Sequence, residues 1–77
     1  MKRQNDIRIG LRTMEEADRL MPYKSDVQKA KIIGCARGLP HEWRGGSTPS
    51  AMYLARLMQM GADIGYILLG ERSNAEN

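Results

Sequence analysis

Residues 25–46 read SDVQKAKIIGCARGLPHEWRGG, and the fold turns on them. Ser25 and Asp26 form a helix-start signal. Val27, Ala30 and Ile33 recur at i, i+3 and i+6, which places them on one face, with Lys29 and Lys31 pointing outward. Gly34 supplies a C-terminal cap and ends a helix of about eight residues. Pro40 is awkward in a helix interior but fits the first helical positions. The next helix therefore begins near Leu39 and Pro40, or near Ala36 with Pro40 in its first turn. Gly45 and Gly46 end it. Trp43, the only tryptophan, is expected to be buried. Two short helices joined by a tight glycine turn in a small basic domain meet the demands of a helix-turn-helix. A small residue, Ala30, stands where the helices meet. Gly34, four positions on, tolerates positive φ. Trp43 anchors the second helix from inside, and Gly46 releases the chain.

Outward from this stretch the punctuation continues. In residues 6–12, Ile7, Ile9 and Leu11 alternate with polar residues, which favours a short strand or extended arm. The competing reading is helical, since Ile7, Leu11 and Met14 are spaced four and three apart. Thr13 and Glu16 fit a capping box, followed by an apolar stripe of Met14, Ala17, Leu20 and Met21 that Pro22 stops. Thr48 and Pro49 suit the cap and first position of another helix, carrying Ala51, Leu54, Ala55, Leu57 and Met58 to Gly61. Asp63 caps a last one, with Ile64, Tyr66, Ile67 and Leu68, ended by Gly70. The expected fold is all-α: a compact bundle of five short helices with a helix-turn-helix, preceded by a strand or arm. The chain divides into a basic arm or strand at 1–13, the helical domain at 14–71 and a polar, frayed tail at 72–77.

A chain of 77 residues allows one small domain. No apolar run reaches the ~18 residues of a membrane span, and the basic start is not followed by the apolar stretch of a secretory signal. Phenylalanine is absent and the six methionines read as core filler. With one cysteine and one histidine there is no internal disulfide and no zinc site from these residues alone, and the simplest compartment is a reducing cytoplasm. Cys35 reads as a small buried hydrophobe. No cofactor, metal or small-molecule ligand is implied. Nothing suggests an enzyme: there is no paired-carboxylate cleft, no Ser/His/Asp set and no phosphate loop. Twelve Lys and Arg against nine Asp and Glu leave a net +3. Residues 1–12 hold Lys2, Arg3, Arg8 and Arg12 against Asp6, and residues 19–44 hold six cations against Asp26 and Glu42. A basic arm and a basic middle suit a polyanionic partner.

Ala30-x-x-x-Gly34, Trp43-x-x-Gly46 and Pro49, with the closing segment MGADIGYILLGE at 60–71, resemble the helix-turn-helix domain of phage lambda-type repressors and Cro proteins. The likeness covers residues 14–71. Pro40 stands where that family usually has an inward aliphatic residue, and Lys29 where it often has Leu. The resemblance implies a sequence-specific regulator that binds double-stranded DNA, acting as a homodimer on a palindromic operator. It places Ala36, Arg37, Gly38, His41 and Glu42 in the major groove, with Arg37 suited to guanine and Glu42 to cytosine. Phosphate contacts are expected from Lys24, Ser25, Gln28, Lys29, Arg44, Ser47 and Thr48. Lys2, Arg3 and Arg8 are candidate arm contacts, with Arg12 beside them. RNA is disfavoured for want of an aromatic stacking platform. The alternative is a protein-interaction regulator of antitoxin or anti-repressor type on the same fold.

Overall fold

The computed structural model describes residues 8–72, which form helices α1 (Arg8–Leu20), α2 (Asp26–Ile33), α3 (Leu39–Arg44), α4 (Ala51–Gln59) and α5 (Ile64–Leu69). Among the described residues there is no strand, so the chain is all-α. The core joins Met14, Ala17 and Met21 to Ile33, Trp43, Leu57, Ala62 and Ile67. α1 packs against α3 and α5, and α2 against α3 and α4.

α1 corrects the reading of residues 8–12 as a strand or arm. Its buried positions include Gly10, Thr13, Met14 and Ala17, continued by Met21 beyond its end. That is helical spacing over three turns, and it buries far more than a short strand with no neighbour to pair with. Thr13 is therefore no cap: it sits inside the helix and its hydroxyl donates to the Ile9 carbonyl at 2.8 Å. Glu16 reaches the backbone N–H of Asp63, 2.8 Å away, instead of its own helix start. Gly10 permits a close crossing, since a Cβ there would lie 2.5 Å from the Trp43 carbonyl oxygen and 2.2 Å from that of Ser47.

α2 begins and ends where its residues direct. Ser25 and Gln28 form a reciprocal capping box, and Gly34 closes the helix at φ 84° with its N–H on the Ala30 carbonyl. Its inner face is shifted from the expected one. Ala30 and Ile33 are buried, but Val27 is exposed and Lys29 buried. Lys29 lies about 40° from Ile33 around the helix and Val27 about 120°, so the narrow arc under α3 and α4 takes the lysine.

α3 starts at Leu39, the later of the two expected positions, with Pro40 buried in its first turn and Trp43 buried behind it. α4 starts at Ala51, two residues after the expected start. Ser50 is extended, its carbonyl is the first acceptor of the helix, from Leu54, and Pro49 is buried ahead of it. Asp63 caps α5 by accepting from the Tyr66 N–H at 2.9 Å. At its other end Arg12 donates to the carbonyls of Ile67 and Leu68, at 2.9 and 3.4 Å. A guanidinium suits the unpaired carbonyls of a helix end. Arg72 is likewise held, over the Tyr66 ring and 2.7 Å from Glu16, so it belongs with the helical domain and not with a frayed tail. The methionines divide: Met14 and Met21 are core, whereas Met52 and Met58 are exposed.

Candidate nucleic-acid interface

The outer surface of the α2–turn–α3 unit follows from what its inner side must bury. Pro40 and Trp43 point into the core and Leu39 is half-buried, so the residues between and before them face solvent. Ala36, Arg37, Gly38, His41 and Glu42 are all exposed. The structure places them in one run of chain, as expected, but only His41 and Glu42 are helical. Ala36, Arg37 and Gly38 form a turn ahead of α3, closed by the Leu39 N–H on the Ala36 carbonyl at 3.0 Å. The cause is Pro40, which is tolerated only near a helix start and so holds that start at Leu39. A Cβ built at Gly38 meets nothing within 4 Å, which leaves the backbone there open to close approach.

The cations sort by location. Arg12 serves α5 carbonyls, Arg19 and Arg72 hold Glu16, and Arg56 donates to the carbonyls of Ile33 and Gly34. Lys24, Lys31 and Arg37 are exposed and carry no ion pair or side-chain hydrogen bond among the described residues. All three lie on or beside α2 and its following turn.

Two of the expected phosphate residues, Lys29 and Arg44, are engaged within the fold. Lys29 is 5% exposed, and its ammonium sits 2.7 Å from Asp18 and 3.6 Å from Asp26. It is neither solvent-facing nor placed to meet a backbone phosphate. Arg44 is exposed at its rim but chelates Asp18 and Asp26. The guanidinium, then Lys29, holds both carboxyls below their usual range despite their partial burial. Ser25 and Gln28 are exposed and cap each other: Gln28 Oε1 accepts from the Ser25 N–H at 2.8 Å, leaving the amide NH2 facing out. Lys24, Ser47 and Thr48 are exposed. Of the arm, Arg8 lies on the first turn of α1 and is exposed, Arg12 is buried against α5 instead of reaching outward, and Lys2 and Arg3 lie outside the described residues. Cys35 is half-buried against the core, and burial pushes its thiol up, away from thiolate chemistry.

Sequence reading missed the two acidic centres. Glu16 is fully buried, its carboxylate shared by Arg19, Arg72 and the Asp63 N–H. Asp18 and Asp26 come from different helices and meet only in the fold. The i, i+3 spacing of Asp26 and Lys29 was the one local signal for the second centre. Elsewhere, Ala51, Leu54, Ala55 and Met58 of α4 line an uncharged open groove with Ile64 and Leu68 of α5. None of the helices is long and apolar enough to cross a membrane. Comparison with protein-family models, with curated proteins and with solved structures finds no match for this chain.

Proposed function

We propose that the protein is a sequence-specific regulator that binds double-stranded DNA, a repressor of phage or prophage type. It works in the cytoplasm as a dimer on a palindromic operator. The observation that carries this reading is the coincidence of two patterns on α2, the turn and α3. The exposed cations with neither an ion pair nor a side-chain hydrogen bond among the described residues, Lys24, Lys31 and Arg37, lie in the same unit as the outward run Ala36, Arg37, Gly38, His41 and Glu42. A polyanion is held by cations that the fold has not already neutralised, and bases are read by side chains free to enter a groove.

In this reading Arg37 forks onto guanine O6 and N7, His41 and Glu42 take a neighbouring base edge, and the open backbone at Gly38 approaches a phosphate. Lys24, Lys31, Gln28, Ser47 and Thr48 fix the register on the duplex. Because α3 has only six residues, the turn carries part of the readout and the helix the rest. Two copies reading successive major grooves place half-sites about 10 bp apart. Repression follows from occlusion of the promoter.

Selection from a random duplex library at about physiological salt tests the proposal, because nonspecific binding is already weak there. An enriched palindrome supports it. No enrichment, with only weak salt-sensitive binding, turns the choice to the second reading, a protein-interaction regulator. The specific observation favouring that reading is the uncharged α4–α5 groove, two of whose lining residues, Met58 and Leu68, are exposed, since clustered apolar surface is a mark of protein contact.

A further inference from the structure

Arg44 closes α3, and its guanidinium lies between carboxylates of two other helices. Nε and Nη2 donate to Asp26 at 2.9 and 2.8 Å, and Nη1 and Nη2 donate to Asp18 at 3.1 and 2.8 Å. One N–H of the five on an arginine side chain is left over. Lys29, 2.7 Å from Asp18, completes a neutral cluster that ties α1, α2 and α3 together. α3 needs such ties. Its six residues fall well below the ~12–15 at which an isolated helix becomes even marginally stable. Gly38 offers it no side-chain cap. Its placement therefore comes from Pro40 and Trp43 inside the core and Arg44 outside it.

We infer that Arg44 is a positioning residue for the base-reading run and not a phosphate contact. By gripping Asp18 and Asp26 it fixes where residues 36–42 sit, and so sets sequence discrimination through α1, an element with no base contact of its own. The inference rests on the DNA-binding reading above. Two features of the cluster argue against a phosphate there. The guanidinium has one donor free, and the two carboxylates beside it repel an approaching anion. A planar fork also spans two carboxylates in a way that fixes direction as well as distance.

Arg44→Gln and Asp18→Asn test this against the unsubstituted chain, with three readouts. They are amide hydrogen exchange over residues 39–44 without DNA, the slope of log K against log salt, and the affinity ratio between a selected and a scrambled duplex. The expected result is faster exchange in both variants and an unchanged salt slope in Arg44→Gln. Both should lose roughly tenfold or more in the affinity ratio, comparable to misreading one base pair. The inference is overturned if Arg44→Gln lowers the slope by about 0.9 with the ratio preserved, the mark of one lost phosphate contact. It is equally overturned if Asp18→Asn binds both duplexes more tightly, since freeing Arg44 would then have strengthened a phosphate contact. If the unsubstituted chain discriminates no sequence, the DNA reading fails by itself, and unchanged exchange over 39–44 would still separately refute the clamp.

Discussion

Glu16 has no exposed surface and yet stays ionised. The Arg19 guanidinium, first, and then the Asp63 N–H and Arg72 outweigh its burial and hold it at about 2, against 4.5 for a free side chain. The folded chain thus binds this proton less tightly than the unfolded chain, and the stability it contributes is complete above pH 4.5 and lost as the pH falls towards 2. Arg19 and Arg72 are about half exposed, so solvent screening leaves on the order of 1–3 kcal/mol. Unfolding midpoints followed from pH 7 to pH 2 should fall through that window, and Glu16→Gln should flatten the fall. An unaltered profile in the variant would place the acid sensitivity elsewhere. At Gly10 the constraint is steric. A methyl group there meets two backbone carbonyls, neither of which can rotate away, so Gly10→Ala must part α1 from the end of α3. A loss of about 2 kcal/mol or more in chemical denaturation is expected, of the size that overpacking costs. Full stability would mean that the crossing is looser than described. Neither role was legible in the sequence. Glu16 reads as a first-turn acid and Gly10 as a weak point in either reading of residues 6–12, because the burial of Glu16 against Asp63 and Arg72 and the crossing at Gly10 are set by contacts dozens of residues away, and only Arg19 is a local partner.

Elements were legible where their chemistry is local. Ser25 with Gln28, Gly34, Asp63 and Gly70 mark helix ends by bonds that close within a few residues, and the boundaries of α2 and α5 follow them. Gly34 permits a direct check. It holds φ at 84°, and an added Cβ would also lie 2.6 Å from the Arg56 guanidinium that covers the end of α2. Gly34→Ala should cost about 1–2 kcal/mol of unfolding free energy, the left-handed penalty of an L-residue. No loss in a denaturant titration would mean that the α2 end can rearrange. Elements were misread where two local rules compete. Residues 8–12 satisfy both a period of 2 and a period of 3.6, and the decision came from how much α1 buries along its whole length. Thr48 with Pro49 is a sound helix start on local grounds, but the helix begins at Ala51, with Ser50 extended and Pro49 buried ahead of it. Lys29 shows the same limit. Its position on the inner arc is readable from the helical angle, but its neutralisation depends on Asp18, eleven residues earlier in another helix.

For the molecule as a whole, the basic composition says that cations are in excess, but not which of them remain available. The fold decides that. Arg12, Arg19, Lys29, Arg44, Arg56 and Arg72 are engaged within it, and among the described residues Lys24, Lys31 and Arg37 are left, on the α2–turn–α3 unit. The candidate base-reading residues were legible because exposure followed from the inward set of Pro40 and Trp43. For the candidate phosphate residues, the engagement of Lys29 and Arg44 within the fold was not legible, since charge on a helix face does not reveal its partner. The two roles separate in binding measurements. Lys31→Ala should weaken every duplex alike and flatten the salt slope by about 0.9. Arg37→Ala should cost about 1–3 kcal/mol at a single base position. Uniform weakening by Arg37→Ala would assign that residue to phosphate and shift the register of the run.

The most direct measurement is a backbone amide titration of the isotope-labelled protein with its selected duplex, followed residue by residue. The account expects the largest shifts at residues 36–42, with smaller ones at Lys24, Gln28, Lys31, Ser47 and Thr48. Shifts centred instead on the α4–α5 face, or none on α2, the turn and α3, would contradict it.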